Sequence, residues 1–97
     1  MVPERGYPLF SLGRVVATPG ALDVLENAGT DALALLRRHA AGDWGKVPVG
    51  DTRENERSVR NGWRVLSSYP VGEAGEKLWI ITEADRSSTC LLLPSEY

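Results

Sequence analysis

A chain of 97 residues makes one domain, which by size scaling buries only about two-thirds of its unfolded surface. Its 42% hydrophobic and 25% charged residues exclude gross disorder, and a net charge of −2 exerts no overall pull toward nucleic acid or an anionic membrane. The lone cysteine, Cys90, builds neither a disulfide framework nor a metal cluster, and no apolar run reaches the roughly 18 residues of a membrane span, so the expectation is a cytoplasmic protein with no metal and no cofactor.

Residues 1–9 carry two prolines and a glycine and read as a flexible arm, pinned at Tyr7 and Phe10; the start of the chain lacks the charged and apolar regions of a signal peptide. Arg14–Ala17 spells a short edge strand. Thr18-Pro19 then signals a helix start, because a Thr cap accepts from an orphan amide and Pro at the first helical position loses no needed bond. Leu22, Leu25 and Ala28 recur at helical spacing as far as Gly29. Thr30-Asp31 restarts a helix whose apolar face is Ala32, Leu33, Leu35, Leu36 and Ala40, with Arg37, Arg38 and His39 placed to favour the carbonyl end of its dipole. In the turn Asp43-Trp44-Gly45, Trp44 reads as a plug for one end of the core. Asp51-Thr52-Arg53-Glu54 matches a capping box and predicts a third helix over 52–61, stopped by Gly62. That helix is polar nearly throughout, with Val59 its only large apolar residue.

The C-terminal third reads as an antiparallel meander. Residues 63–69 make one strand, the glycines of 71–76 supply a reversal, and 78–81 and 89–93 are β-branched and apolar runs on either side of the polar turn 83–87. The expected fold is α+β over 1–97: an N-terminal helical hairpin and a polar third helix packed on a three- to four-stranded antiparallel sheet. The expected core is Leu22, Leu25, Leu33, Leu36, Trp44, Val59, Val65, Leu78, Ile80, Leu91 and Leu93.

No phosphate-cradling glycine loop, nucleophile elbow or spaced set of metal ligands occurs, so no residue is assigned a catalytic role. At 100° per residue, Arg53, Arg57 and Arg60 share one stripe of the third helix and Asn55 faces inward. With Arg64, Arg86 and Trp44 they form the candidate binding surface, able to hold phosphates or a carboxylate-rich partner; the alternative is a solvated helix face on which the interleaved Glu54 and Glu56 pair with the arginines at short helical spacing, and these acids together with the net charge disfavour nucleic acid and favour a protein partner. His39, at a helix end, and Cys90, in an apolar strand, are read as structural.

The segments Thr18-Pro19-Gly20-Ala21-Leu22, Gly42-Asp43-Trp44-Gly45, Arg53-Glu54-Asn55-Glu56, LWIITEADRS from Leu78 to Ser87, and Leu92-Leu93-Pro94 with Glu96-Tyr97 resemble a small group of plasmid-related proteins of bacterial plasmids and integrative elements. The resemblance spans residues 10–97 and implies a genetic setting without assigning an activity to any residue. The first functional expectation is therefore a non-enzymatic binding protein or modulator of a mobile genetic element, acting through the third helix. The alternative is a small ribonuclease of the barnase or RelE-toxin type, which requires Arg53, Arg57, Arg64, Arg86, Glu54 and Glu83 to converge on one sheet face.

Overall fold

The computed structural model describes residues 7–97. Residues 1–6 of the expected arm lie outside this range, and its remainder is tied down where the Leu9 amide donates to the Ala40 carbonyl. The described chain runs β1 (Arg14–Ala17), α1 (Pro19–Ala28), α2 (Ala32–Ala40), α3 (Val49–Asn61), β2 (Val65–Val71), β3 (Glu76–Thr82) and β4 (Ser88–Leu92), followed by a 3-10 turn over Pro94–Glu96.

The sheet has the order β1-β4-β3-β2. β2, β3 and β4 form the expected antiparallel meander, with Leu66 opposite Ile81 and Ile81 opposite Cys90. β1 corrects the expectation of an all-antiparallel sheet. It pairs with β4 in parallel, Val16 opposite Cys90, so the sheet is mixed. The cause is a contact across the whole chain: Glu96, just after β4, accepts from the Thr18 hydroxyl and the Gly20 amide at the start of α1, and from the Leu93 amide. This brings the C-terminal ends of β1 and β4 to the same end of the sheet. A Cβ on Gly20 would stand 2.5 Å from the Glu96 carboxylate, so a larger residue there would push that side chain aside. These donors hold the Glu96 carboxyl below the usual carboxylate range, the Thr18 hydroxyl contributing most.

The capping signals of the first two helices act as read. The Thr18 hydroxyl accepts from the Ala21 amide at 3.1 Å, the Asp31 carboxylate from the Leu33 amide at 3.0 Å, and Gly29 closes α1 in the left-handed region. α3 differs, beginning at Val49 after Pro48, so that Asp51 lies inside its first turn and caps nothing.

One sheet face packs against α1 and α2. Ala21 and Leu25 of α1 and Leu35 and Leu36 of α2 meet Tyr69, Val71, Leu78, Ile80 and Leu91 of the strands. Both helices are rotated from the expected orientation, leaving Leu22 54% and Leu33 51% exposed. In α1 small Ala21 occupies the place of closest approach; in α2 the polar bonds of buried His39 fix the roll and turn Leu33 outward. Val59 and Leu93 are half-buried, while Leu25, Leu36, Trp44, Val65, Leu78, Ile80 and Leu91 lie in the core as expected.

The outer edge of β2 is closed. The Asn55 side chain of α3 donates to the Leu66 carbonyl at 2.7 Å and accepts from the Leu66 amide at 3.1 Å, as a neighbouring strand would. Two residues on, Ser68 donates to the Trp44 carbonyl and accepts from the Lys46 amide. A Cβ on Gly45 would meet the Ser68 carbonyl at 2.2 Å, so this close approach requires glycine. The next outward position is Pro70, which has no amide to satisfy. Replacing Asn55 by Ala strands both backbone groups of Leu66, and the expected loss is about 1–3 kcal/mol by urea denaturation. A loss under about 0.5 kcal/mol, the range of an ordinary surface change, would show that α3 is not held by this pair.

Candidate functional site

The solvent side of α3 is the surface singled out by the sequence, and the helix places it there from behind. Asn55 and Ser58 are buried, whereas Arg53, Arg57 and Arg60 all lie exposed on the opposite stripe. Arg57 makes a loose ion pair with Glu54 at 3.5 Å, and both partners are more than half exposed, so the pair is worth little. Arg53 and Arg60 have no ion pair among the described residues. Thr52, beside Arg53, lines an open cleft of about 730 Å³ together with Arg37, Arg38, Gly42, Asp43, Trp44 and Gly45. Leu9, Trp44, Glu56, Val59 and Arg60 line a shallower pocket of 320 Å³. In the cleft, Arg38 is bound to Asp43 at 2.7 Å and lies over the Tyr69 ring, which raises its pKa mainly through the Asp43 hydrogen bond.

The other three candidate residues serve different ends. Trp44 is only 4% exposed and sits against Phe10, with ring centroids 6.3 Å apart. Its indole N–H has no hydrogen-bond partner among the described residues. Arg86 is a clamp: its guanidinium donates to the carbonyls of Ser58 (2.9 Å), Trp63 (2.6 Å) and Glu83 (3.2 Å), and lies 5.1 Å from the centre of the Phe10 ring. It thereby ties the C-terminal end of α3, where the Ser58 carbonyl also accepts from the Gly62 and Trp63 amides, to the turn after β3. Its backbone is at φ 61, a conformation that costs about 1 kcal/mol and is kept because three bonds over-determine it. Arg64 pairs with Glu83 at 3.7 Å and lies over the Tyr97 ring, which in turn meets Trp79. Among the described residues no hydrogen bond or ion pair joins Arg53, Glu54 or Arg57 of α3 to Arg64, Glu83 or Arg86, so the six residues required of a ribonuclease are not bonded into one set.

A polar chain that the sequence does not announce runs through the core. His39 Nδ1 lies 2.6 Å from the Ser67 hydroxyl and Nε2 lies 2.9 Å from that of Thr82; Thr82 reaches Thr89 at 2.7 Å, and Thr89 donates to the Leu12 carbonyl at 2.7 Å. The last bond fixes the direction of the others. Since Thr89 spends its proton on Leu12, it accepts from Thr82, which accepts from His39 Nε2–H, and Nδ1 accepts from Ser67. The geometry thus assigns a neutral Nε2–H imidazole. Burial, aided by the Arg86 charge, pushes its pKa down to about 3. His39 therefore does not act as a positive charge at the end of α2, contrary to the expectation from its position. His39, Ser67, Thr82 and Thr89 are all fully buried, so Ser67 is closed to any substrate despite its histidine neighbour.

Cys90 is half-buried, and burial, with Glu96 and Glu83, raises its pKa, which keeps the thiol protonated and unreactive. Among the described residues no group of three or more His, Cys, Asp or Glu side chains is placed to hold a metal ion, and no helix is long and apolar enough to cross a membrane. Compared with protein-family models, curated proteins and solved structures, the chain matches none.

The depressed His39 pKa carries a pH prediction. The unfolded chain takes up a proton at about 6.5 while the folded one refuses it until about 3, so this residue's stabilising contribution is complete above 6.5 and is lost as pH falls toward 3. The expected slope from this group is about 1.4 kcal/mol per pH unit within that window, measured by urea denaturation between pH 6 and pH 4 and missing in His39→Gln. An identical slope in the variant would place the acid sensitivity elsewhere.

Proposed function

We propose that this protein is a non-enzymatic binding protein that presents the solvent face of α3 to an acidic protein partner. One observation carries the reading: α3 is locked to the sheet by Asn55 at its middle and by Arg86 at its end, which holds the helix face bearing Arg53 and Arg60 toward solvent, and neither arginine has an ion pair among the described residues. A helix held through polar bonds on its inner side is a rigid platform, and rigidity lowers the entropy lost when its side chains meet a partner. Glu54 and Glu56 among the arginines give a mixed charge pattern, which suits a folded protein surface better than the uniform charge of a nucleic-acid backbone. A cytoplasmic setting and a role in a plasmid or integrative element belong to the same proposal; the setting in a mobile element rests on the resemblance of the quoted segments.

The test is capture from a bacterial lysate with the wild type and with the Arg53/Arg57/Arg60→Ala variant, which stays helical because alanine favours an exposed helix. A partner held by the wild type and lost from the variant, with salt-dependent affinity, is the expected result. An unchanged catch would remove α3 as the binding face. Cleavage of single-stranded RNA by the wild type would overturn the non-enzymatic reading.

A further inference from the structure

The two edges of the sheet are treated in opposite ways, and the difference defines a second surface that does not depend on α3. At β1 the Arg14 amide donates to the Ser87 carbonyl and the Thr18 amide to the Leu91 carbonyl. Since a parallel ladder uses alternate residues, Arg14, Val16 and Thr18 turn their backbone groups toward β4, and Val15 and Ala17 turn theirs outward. No backbone partner meets those outward groups among the described residues. Where β2 has Asn55, the Trp44 loop and Pro70 along its edge, β1 has nothing comparable among the described residues. Val15 and Val16 are each 44% exposed.

Beside this edge lies an apolar groove of 250 Å³, lined by Leu12 and Val15 on one side, Leu33, Leu36 and Ala40 of α2 on the other, and ending at Arg37. Strand alternation puts Val15 toward α2 and Arg14 on the opposite sheet face. Neither Arg14 nor Arg37 has an ion pair among the described residues. An open ladder edge accepts an extended chain, the groove accepts the apolar side chains of one of its faces, and the two guanidiniums call for carboxylates near its ends.

We propose that the β1 edge is a strand-docking site for an extended segment of a partner protein in which apolar residues alternate with acidic ones. A second copy of this chain does not fit the charge: residues 7–22 contain no Asp or Glu, so pairing β1 with itself would bring two basic edges together. The edge is also only four residues long and carries Arg14, features that suppress indiscriminate self-pairing and leave room for an acidic partner.

The probes are two capped pentapeptides, Glu-Val-Glu-Val-Glu and Lys-Val-Lys-Val-Lys, with amide hydrogen exchange read residue by residue on the full chain. With the glutamate peptide at saturation, the Val15 and Ala17 amides should slow by about tenfold or more while the α3 amides stay unchanged. The exposed charge-reversal variant Arg14→Glu/Arg37→Glu should bind the glutamate peptide about tenfold more weakly and reverse the preference to the lysine peptide. Failure of the glutamate peptide to slow either amide, or equal slowing by both peptides, would overturn the proposal. Slowing that appears without peptide and grows with protein concentration would also overturn it, by assigning the edge to a second copy.

Discussion

The side-chain amide of Asn55, bonded to both backbone groups of Leu66, is the contact on which the use of this molecule's surface depends. α3 has too little apolar surface to be driven onto the sheet by burial alone, with Val59 only half-buried and Val49 exposed. Its attachment is therefore directional, through Asn55 in the middle and the Arg86 fork at the Ser58 carbonyl. Directional bonds fix roll and register where hydrophobic contact would tolerate sliding, so the arginine stripe acquires a definite orientation. The same pair closes a sheet edge, which explains how a polar helix and an apolar meander are stable together.

A second polar system performs the corresponding task inside. His39 links α2 to β2 through Ser67 and to β3 through Thr82, and the chain continues to β4 and to the Leu12 carbonyl ahead of β1. Each hydroxyl and both ring nitrogens find a partner, so burial of these groups avoids the cost of an unpaired donor or acceptor. Phe10 and Trp44 stand edge-on to the imidazole at 5.3 and 6.0 Å and seal it from water. That seal makes the histidine neutral and specific, and it is also what removes the Ser67 and His39 pair from chemistry.

Features set by local backbone chemistry were legible in the sequence: the Thr18 and Asp31 caps, the Gly29 and Gly62 stops, the meander, and the 100° periodicity that aligns Arg53, Arg57 and Arg60 away from Asn55. Features set by contacts between distant residues were not. The parallel placement of β1 follows from Glu96 reaching Thr18 and Gly20, more than seventy residues away in the chain, and no periodicity within Arg14–Ala17 records it. The roll of α2 follows from His39 choosing Ser67 and Thr82, which hydrophobic spacing misreads as burial of Leu33. Arg86 reads as part of the candidate surface beside α3, yet it is spent on backbone carbonyls, and of the two readings of Trp44 the structure keeps the core plug. Pro70 falls outside the strand read over 63–69, although it is an edge-strand residue whose missing amide faces outward.

The contrast between a closed and an open edge is tested most directly by native-state hydrogen exchange of the free protein, comparing four outward-facing amides. Leu66 and Ser68, held by Asn55 and the Trp44 carbonyl, should exchange as slowly as amides inside the sheet, while Val15 and Ala17 exchange near the rate of an unprotected chain. Rapid exchange at Leu66 matching that of Val15 would contradict a fixed α3 and with it the arginine platform, and strong protection at Val15 and Ala17 in the free monomer would contradict an open β1.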